Sequence, residues 1–131
     1  MPNRPVSHLR VLVIDDEADT ADSLARVLAL HGFTAATATT GADALRALES
    51  DPPDVVVTDL LMPGVDGFEI ARRVRSLVPR RPLLVAVTGA ARETLDAAEE
   101  SGFDLVLMKP ADPVLIVGVL RRFERLFAVA G

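Results

Sequence analysis

Val55-Val56-Val57-Thr58-Asp59-Leu60-Leu61-Met62-Pro63-Gly64-Val65-Asp66-Gly67 is the stretch on which the fold turns. Three consecutive valines, β-branched and without polar alternation, predict a strand buried on both faces. It ends at Thr58 and Asp59. Met62, Pro63 and Gly64 then make a tight loop that brings backbone groups close to the strand end, with Gly64 and Gly67 free to take positive φ. Asp66 and Glu69 stand in capping-box spacing before a helix that presents Phe68, Ala71, Val74 and Leu77 inward. The unit is a buried strand, a carboxylate, a loop and a helix.

The same unit recurs on both sides. Upstream, Val11 to Ile14 predicts a strand and Ala21, Leu24, Ala25 and Leu28 a helix face, closed by Gly32 after His31. Phe33 to Ala38 follows as a weaker strand, and Thr40, with Asp43 three residues on, opens a helix carrying Ala44, Leu45 and Leu48. Downstream, Leu83 to Val87 is a fourth strand and Glu93 to Glu100 a helix closed by Gly102. Leu105 to Met108 is a fifth strand, and Asp112 caps a last helix with Pro113 in its first position and Val117, Leu120 and Phe127 inward. Strict alternation predicts a parallel sheet with helices on both faces, because parallel neighbours need crossover connections. The third, fourth and fifth strands read as buried on both faces.

Composition narrows the function. The 131 residues carry 14 Lys and Arg against 19 Asp and Glu, a net charge of −5. That balance argues against nucleic acid as a direct partner, which needs a basic footprint on phosphates. No apolar run approaches the roughly 20 residues of a spanning helix, and Val11 to Ile14 is too short for a secretory core. With no cysteine there is no disulfide framework and no thiolate chemistry. The expectation is a cytoplasmic protein without membrane contact.

Ligands of open α/β sheets bind beyond the carboxyl ends of the strands. The residues there are Asp15, Asp16 and Glu17 after the first strand, Asp59 after the third, Thr88 after the fourth, and Lys109 with Pro110 after the fifth. Gathered carboxylates repel one another by roughly 4 kcal/mol per pair at about 4 Å and an effective dielectric near 20, so the cluster needs a cation or a shared proton. Oxygen ligands without His or Cys favour a hard ion, Mg²⁺ rather than a calcium cage. With a lysine ammonium and a hydroxyl beside them, these are the parts that receive a phosphoryl group: positive centres, an orienting donor and a carboxylate nucleophile.

The segments V-L-V-I-D-D-E, V-V-V-T-D-L-L-M-P-G-V-D-G, L-L-V-A-V-T-G-A and G-F-D-L-V-L-M-K-P, taken together from about Arg10 to Phe127, resemble the receiver domain of two-component response regulators. The resemblance implies a flavodoxin-like (βα)₅ doubly wound parallel sheet in strand order 2-1-3-4-5. It implies phosphorylation of Asp59 by a phosphohistidine of a sensor histidine kinase or histidine phosphotransfer protein. It also implies that Asp16, Asp59 and the backbone carbonyl of Leu61 ligate Mg²⁺ while Asp15 holds a water on the ion. Thr88 would hydrogen-bond the phosphoryl group, Lys109 would pair with it, and the Lys109–Pro110 bond would be cis. On this reading residues 1–9 are an N-terminal extension, 10–128 form the receiver, and no effector domain follows. The protein would be a phosphoacceptor that assists its own phosphorylation and dephosphorylation, not a turnover enzyme. It would act on a downstream protein target as a monomer or weak homodimer, either as a stand-alone regulator or as the receiver of a hybrid kinase, which the close K-P-A-D-P-V-L resembles.

Two positions depart from the pattern. Val106 occupies the place where relatives carry Tyr, Phe or His as a switching ring, so signalling would rely on the Thr88 loop, on backbone shifts or on a different output surface. Leu61 and Ala90 are apolar where some relatives assist the attacking water, which predicts a long-lived acyl phosphate. Glu17 reads as a solvated first-turn acid and His31 as a helix C-terminal group. The runs Arg72, Arg73, Arg75, Arg80, Arg81 and Arg121, Arg122, Arg125 read as solvated helix faces, and Gly118 as a point of close approach for a neighbour. An aspartyl-phosphate phosphatase needs a second Asp at position 61, and a flavin binder needs a phosphate loop and an aromatic to stack; neither is present. A degenerate receiver would lack acceptor residues that this chain keeps.

Overall fold

The computed structural model describes residues 9–76, 81–89 and 92–130. In chain order the elements are β1 (Arg10–Ile14), α1 (Ala18–Leu30), β2 (Thr34–Ala38), α2 (Gly41–Ser50), β3 (Val55–Thr58), α3 (Gly67–Arg75), β4 (Leu83–Thr88), α4 (Arg92–Glu100), β5 (Leu105–Met108) and α5 (Pro113–Ala130). The strands form one parallel sheet in the order β2-β1-β3-β4-β5. This is the flavodoxin-like arrangement expected from the sequence.

Strand alternation divides the core. Val11, Val13, Val55, Val57 and Val85 turn to one face, where Ala21 and Leu28 of α1 and Ile116, Val117 and Leu120 of α5 cover them. Leu12, Ile14, Val56, Leu84 and Ala86 turn to the other, under Leu48 of α2, Ile70 and Val74 of α3 and Ala98 of α4. Each fully buried Leu, Ile or Val stabilises the fold by about 1.5–3 kcal/mol, so these two layers fix the sheet. Phe127 and Leu77, expected inward, lie outside the described side chains.

The helix ends behave as their sequences dictate. Thr40 accepts from Asp43 N at 3.1 Å, and Asp112 Oδ1 accepts from Val114 N at 2.9 Å. Asp66 accepts from Glu69 N at 3.1 Å, but the Glu69 carboxylate takes Arg72 at 2.5 Å, so only half of the capping box forms. Gly32, Gly64 and Gly102 all take positive φ. Gly67 does not, because it is the first residue of α3. β5 departs from expectation: its residues are half-buried and Met108 is exposed, because the strand order leaves it at an edge.

The basic runs are solvated and mostly paired. Arg73 meets Glu49, Arg81 grips Asp104 with both guanidinium nitrogens, and Arg121 donates to His31 O at 2.7 Å while lying over the Phe33 ring. Arg80 lies outside the described residues. His31 is the C-cap of α1, with Nδ1 2.9 Å from Val27 O. Gly118 is exposed, with no described atom near where a Cβ would stand.

Candidate functional site

β1 and β3 lie side by side at the centre of the sheet, and β1 is followed in space by β2 on one side and β3 on the other. The strand order switches there, so a crevice opens beyond their carboxyl ends. The backbone runs on in register past both strands. Asp59 N donates to Ile14 O at 3.0 Å and Asp15 N to Ala38 O at 3.1 Å. Asp15 and Asp59 therefore take their positions from the core ladder, not from a loose loop.

The side chains converge. Asp15, Asp16 and Asp59 each offer a carboxylate oxygen within 4.8 Å of the other two. Lys109 Nζ reaches across from the end of β5 to Asp59 Oδ2 at 3.0 Å and Asp15 Oδ2 at 3.4 Å. The remaining oxygens take backbone donors: Glu17 N to Asp15 Oδ1 at 2.9 Å and Leu61 N to Asp59 Oδ1 at 3.4 Å. Asp15 is buried and Asp16 exposed.

Charge and donor type test the fit of a metal. Three carboxylates against one ammonium leave a surplus of two negative charges, the charge of one divalent cation. Every side-chain ligand is an oxygen, which suits a hard ion such as Mg²⁺. The residues fit the ion that the sequence implies.

Comparison with known proteins decides the family. The family model described as response regulator receiver domain matches residues 11–121. The chain belongs to that family. Among its relatives, an uncharacterized 14.6 kDa protein of Leptolyngbya boryana is 37% identical over 120 residues, 90% of this chain and 92% of that protein. The transcriptional regulatory protein PrrA of Mycobacterium tuberculosis is 39% identical over 105 residues, 80% of this chain and 45% of PrrA. The chain thus spans less than half the length of that regulator. A crystal structure of a CheY-like receiver domain protein from Methanospirillum hungatei JF-1 matches with a TM-score of 0.84 over 95% of this chain and 100% of that one. At 24% identity, this last likeness is one of fold.

Within the receiver domain, the lysine is tuned by its neighbours. Burial works against the Lys109 charge, but the hydrogen bond to Asp59 and the charges of Asp59 and Asp15 outweigh it and hold the ammonium above the ordinary lysine value. The peptide after it, Lys109–Pro110, is cis, as the family resemblance implies. Beside the acid cluster a cleft of about 640 Å³ opens between α1 and the start of α5, lined by Val13 and Val57 together with Asp15, Asp59 and Lys109.

Other expected residues sit further out. Thr88 is the last residue of β4, only 1% exposed, and its carbonyl accepts Lys109 N at 2.9 Å. It adjoins the lysine through the backbone and does not line the cleft. Leu61 is 56% exposed and turns an apolar side chain to solvent two residues past Asp59. Glu17 is the exposed N-cap of α1, one position ahead of the first turn where it was expected. Ala90 lies outside the described residues.

Gly67 corrects the expectation of positive φ. A Cβ there would stand 2.5 Å from Asp59 O and 2.9 Å from Leu60 Cα, so this glycine is needed for the close approach of α3 to the acceptor strand. Its N–H closes on Leu60 O at 2.9 Å. Gly41 is the residue sequence reasoning missed. It occupies the first turn of α2, where glycine has no propensity advantage, and that mismatch was the available signal.

Proposed function

We propose that this receiver domain accepts a phosphoryl group on Asp59 from a phosphohistidine of a sensor histidine kinase or histidine phosphotransfer protein, and relays the signal by protein contact. The observation that carries the reading is the bridge from Lys109 Nζ to both Asp59 and Asp15 at the switch point of the sheet. An Asp59 oxygen attacks phosphorus; a P–O bond forms as the P–N bond breaks. The electron pair returns to the imidazole, which takes a proton from solvent, and an acyl phosphate remains. Asp16, Asp59 and the Leu61 carbonyl would hold Mg²⁺, with Asp15 acting through a water. The ion supplies charge neutralisation for the incoming phosphoryl oxygens.

Lys109 is already charged and beside the acceptor carboxylate, so it can pass from that oxygen to a phosphoryl oxygen with no change of protonation. The Thr88 hydroxyl, 1% exposed and off the cleft, would have to turn toward the site to donate to the same group. The domain is a phosphoacceptor that assists its own loading and unloading and does not turn over a free substrate. Its partners are a phosphodonor and a downstream protein, with no direct nucleic-acid contact, and it acts in the cytoplasm as a monomer or weak homodimer, alone or within a hybrid kinase. Among the described residues no helix is long and apolar enough to cross a membrane.

The test is intact-mass measurement after incubation with acetyl phosphate and Mg²⁺. One added phosphoryl mass in the parent, and none in Asp59→Asn, is expected. A parent that stays unmodified, or an Asp59→Asn variant that is labelled equally, overturns the reading.

A further inference from the structure

Gly41 lies at the start of α2, outside the acid cluster, yet its backbone meets the loop that follows Asp59. An ideal Cβ on Gly41 would fall inside van der Waals contact with both Val65 Cβ and the Val65 carbonyl oxygen, and 2.8 Å from Val65 Cγ1. The loop from Leu61 to Asp66 is closed at its base, where Gly67 lies against Asp59 and Leu60, and Gly41 adds a second close contact beside that base, at Val65. The same β2–α2 junction braces Asp15, because Ala38 O, three residues before Gly41, accepts Asp15 N.

We infer that Gly41 is a positioning residue for the metal side of the acceptor site: by admitting Val65 against bare backbone, it sets the loop whose Leu61 carbonyl would ligate the cation. The inference rests on the Mg²⁺ reading of the preceding section. Thr40 fixes Gly41 in place by capping α2, and Val65 is packed on the core cluster of that face. The loop therefore has little room to yield on either side. A methyl at position 41 must displace Val65, and with it the loop that runs back to Leu61. Loss of the Val65 side chain removes the wall that the loop leans on.

The experiment titrates Mg²⁺ into the full chain, following backbone amide shifts, for the parent, Gly41→Ala, Val65→Gly and Val74→Ala. The last is a core substitution on α3 outside the loop and in the same core cluster, and thermal melting is recorded for all four. Gly41→Ala and Val65→Gly should each weaken Mg²⁺ binding by about tenfold, the usual effect of disturbing a group behind a metal ligand. Val74→Ala should lower the melting temperature with affinity within twofold of the parent. If Gly41→Ala fails to fold, Val65→Gly, which introduces no clash, carries the test. Affinities of the two loop variants within twofold of the parent, or falling no further than that of Val74→Ala, overturn the positioning role. A parent that binds no Mg²⁺ instead overturns the metal reading itself.

Discussion

Lys109 Nζ stands 3.0 Å from Asp59 Oδ2, and Lys109 is the one lysine in the chain. There is also no tyrosine and no cysteine. Titration near pH 10 and above therefore reports on this ammonium almost alone. Its folded value lies above the ordinary 10.5, so the pairing is fully present below that pH and is lost as pH rises through the raised value. Its side chain is 33% exposed, so solvent screening limits its worth to about 1 kcal/mol. Urea unfolding of the parent and Lys109→Gln should differ by that amount at pH 7 and converge as pH rises through the raised lysine value, as the linkage requires.

Mg²⁺ should stabilise the domain. At a hundredfold excess over its dissociation constant, the gain is about 2.7 kcal/mol. Asp16→Asn and Asp59→Asn should lose most of it. Without divalent ion, Asp16→Asn should melt above the parent, because it removes one of three like charges that crowd together. Paired melts with Mg²⁺ and with a chelator check both signs.

The two glycines beyond Asp59 should behave differently. Gly67→Ala drives a methyl into the Asp59 carbonyl and should cost about 1–3 kcal/mol while slowing acetyl phosphate labelling. Gly64→Ala meets open space but forces a left-handed residue, costing about 1–2 kcal/mol with labelling unchanged. Urea curves and a mass time course separate them.

Leu61 presents an apolar, exposed side chain beside the acceptor and offers no group to orient an attacking water. The acyl phosphate should decay slowly, and Leu61→Gln should hasten it. A phosphate-release assay on purified phosphoprotein gives both rates, and rapid decay of the parent would contradict the expectation.

Val106 packs against the face that holds Phe103 and Ala98, with no ring to swing between two positions. A phosphoryl mimic should shift amides of α4 and β5 by less than those of the acid cluster, though measurably. Shifts confined to the cluster would show that the surface does not respond.

Much of this was legible in the sequence because it depends on side chains at strand ends. Asp15, Asp16, Asp59 and Lys109 follow apolar runs directly, and topology alone carries them to one crevice. The close approaches of Gly41 and Gly67 were not legible, because hydrophobic periodicity registers buried side chains and says nothing of backbone passing backbone. Gly67 was noticed for its conformational freedom, whereas its use is its missing Cβ. The exposure of Met108 was misjudged for another reason: an apolar run reads the same at the centre of a sheet and at its edge.

The hydrogen bond from Asp59 N to Ile14 O joins the acceptor to β1, an interior strand of the sheet, while Asp15 N bonds to Ala38 O at the end of the edge strand β2. An amide bonded to an interior strand opens mainly with the domain as a whole. Warming should therefore abolish phosphate uptake at the global melting point and not before, leaving no intermediate temperature at which a folded but inert protein accumulates.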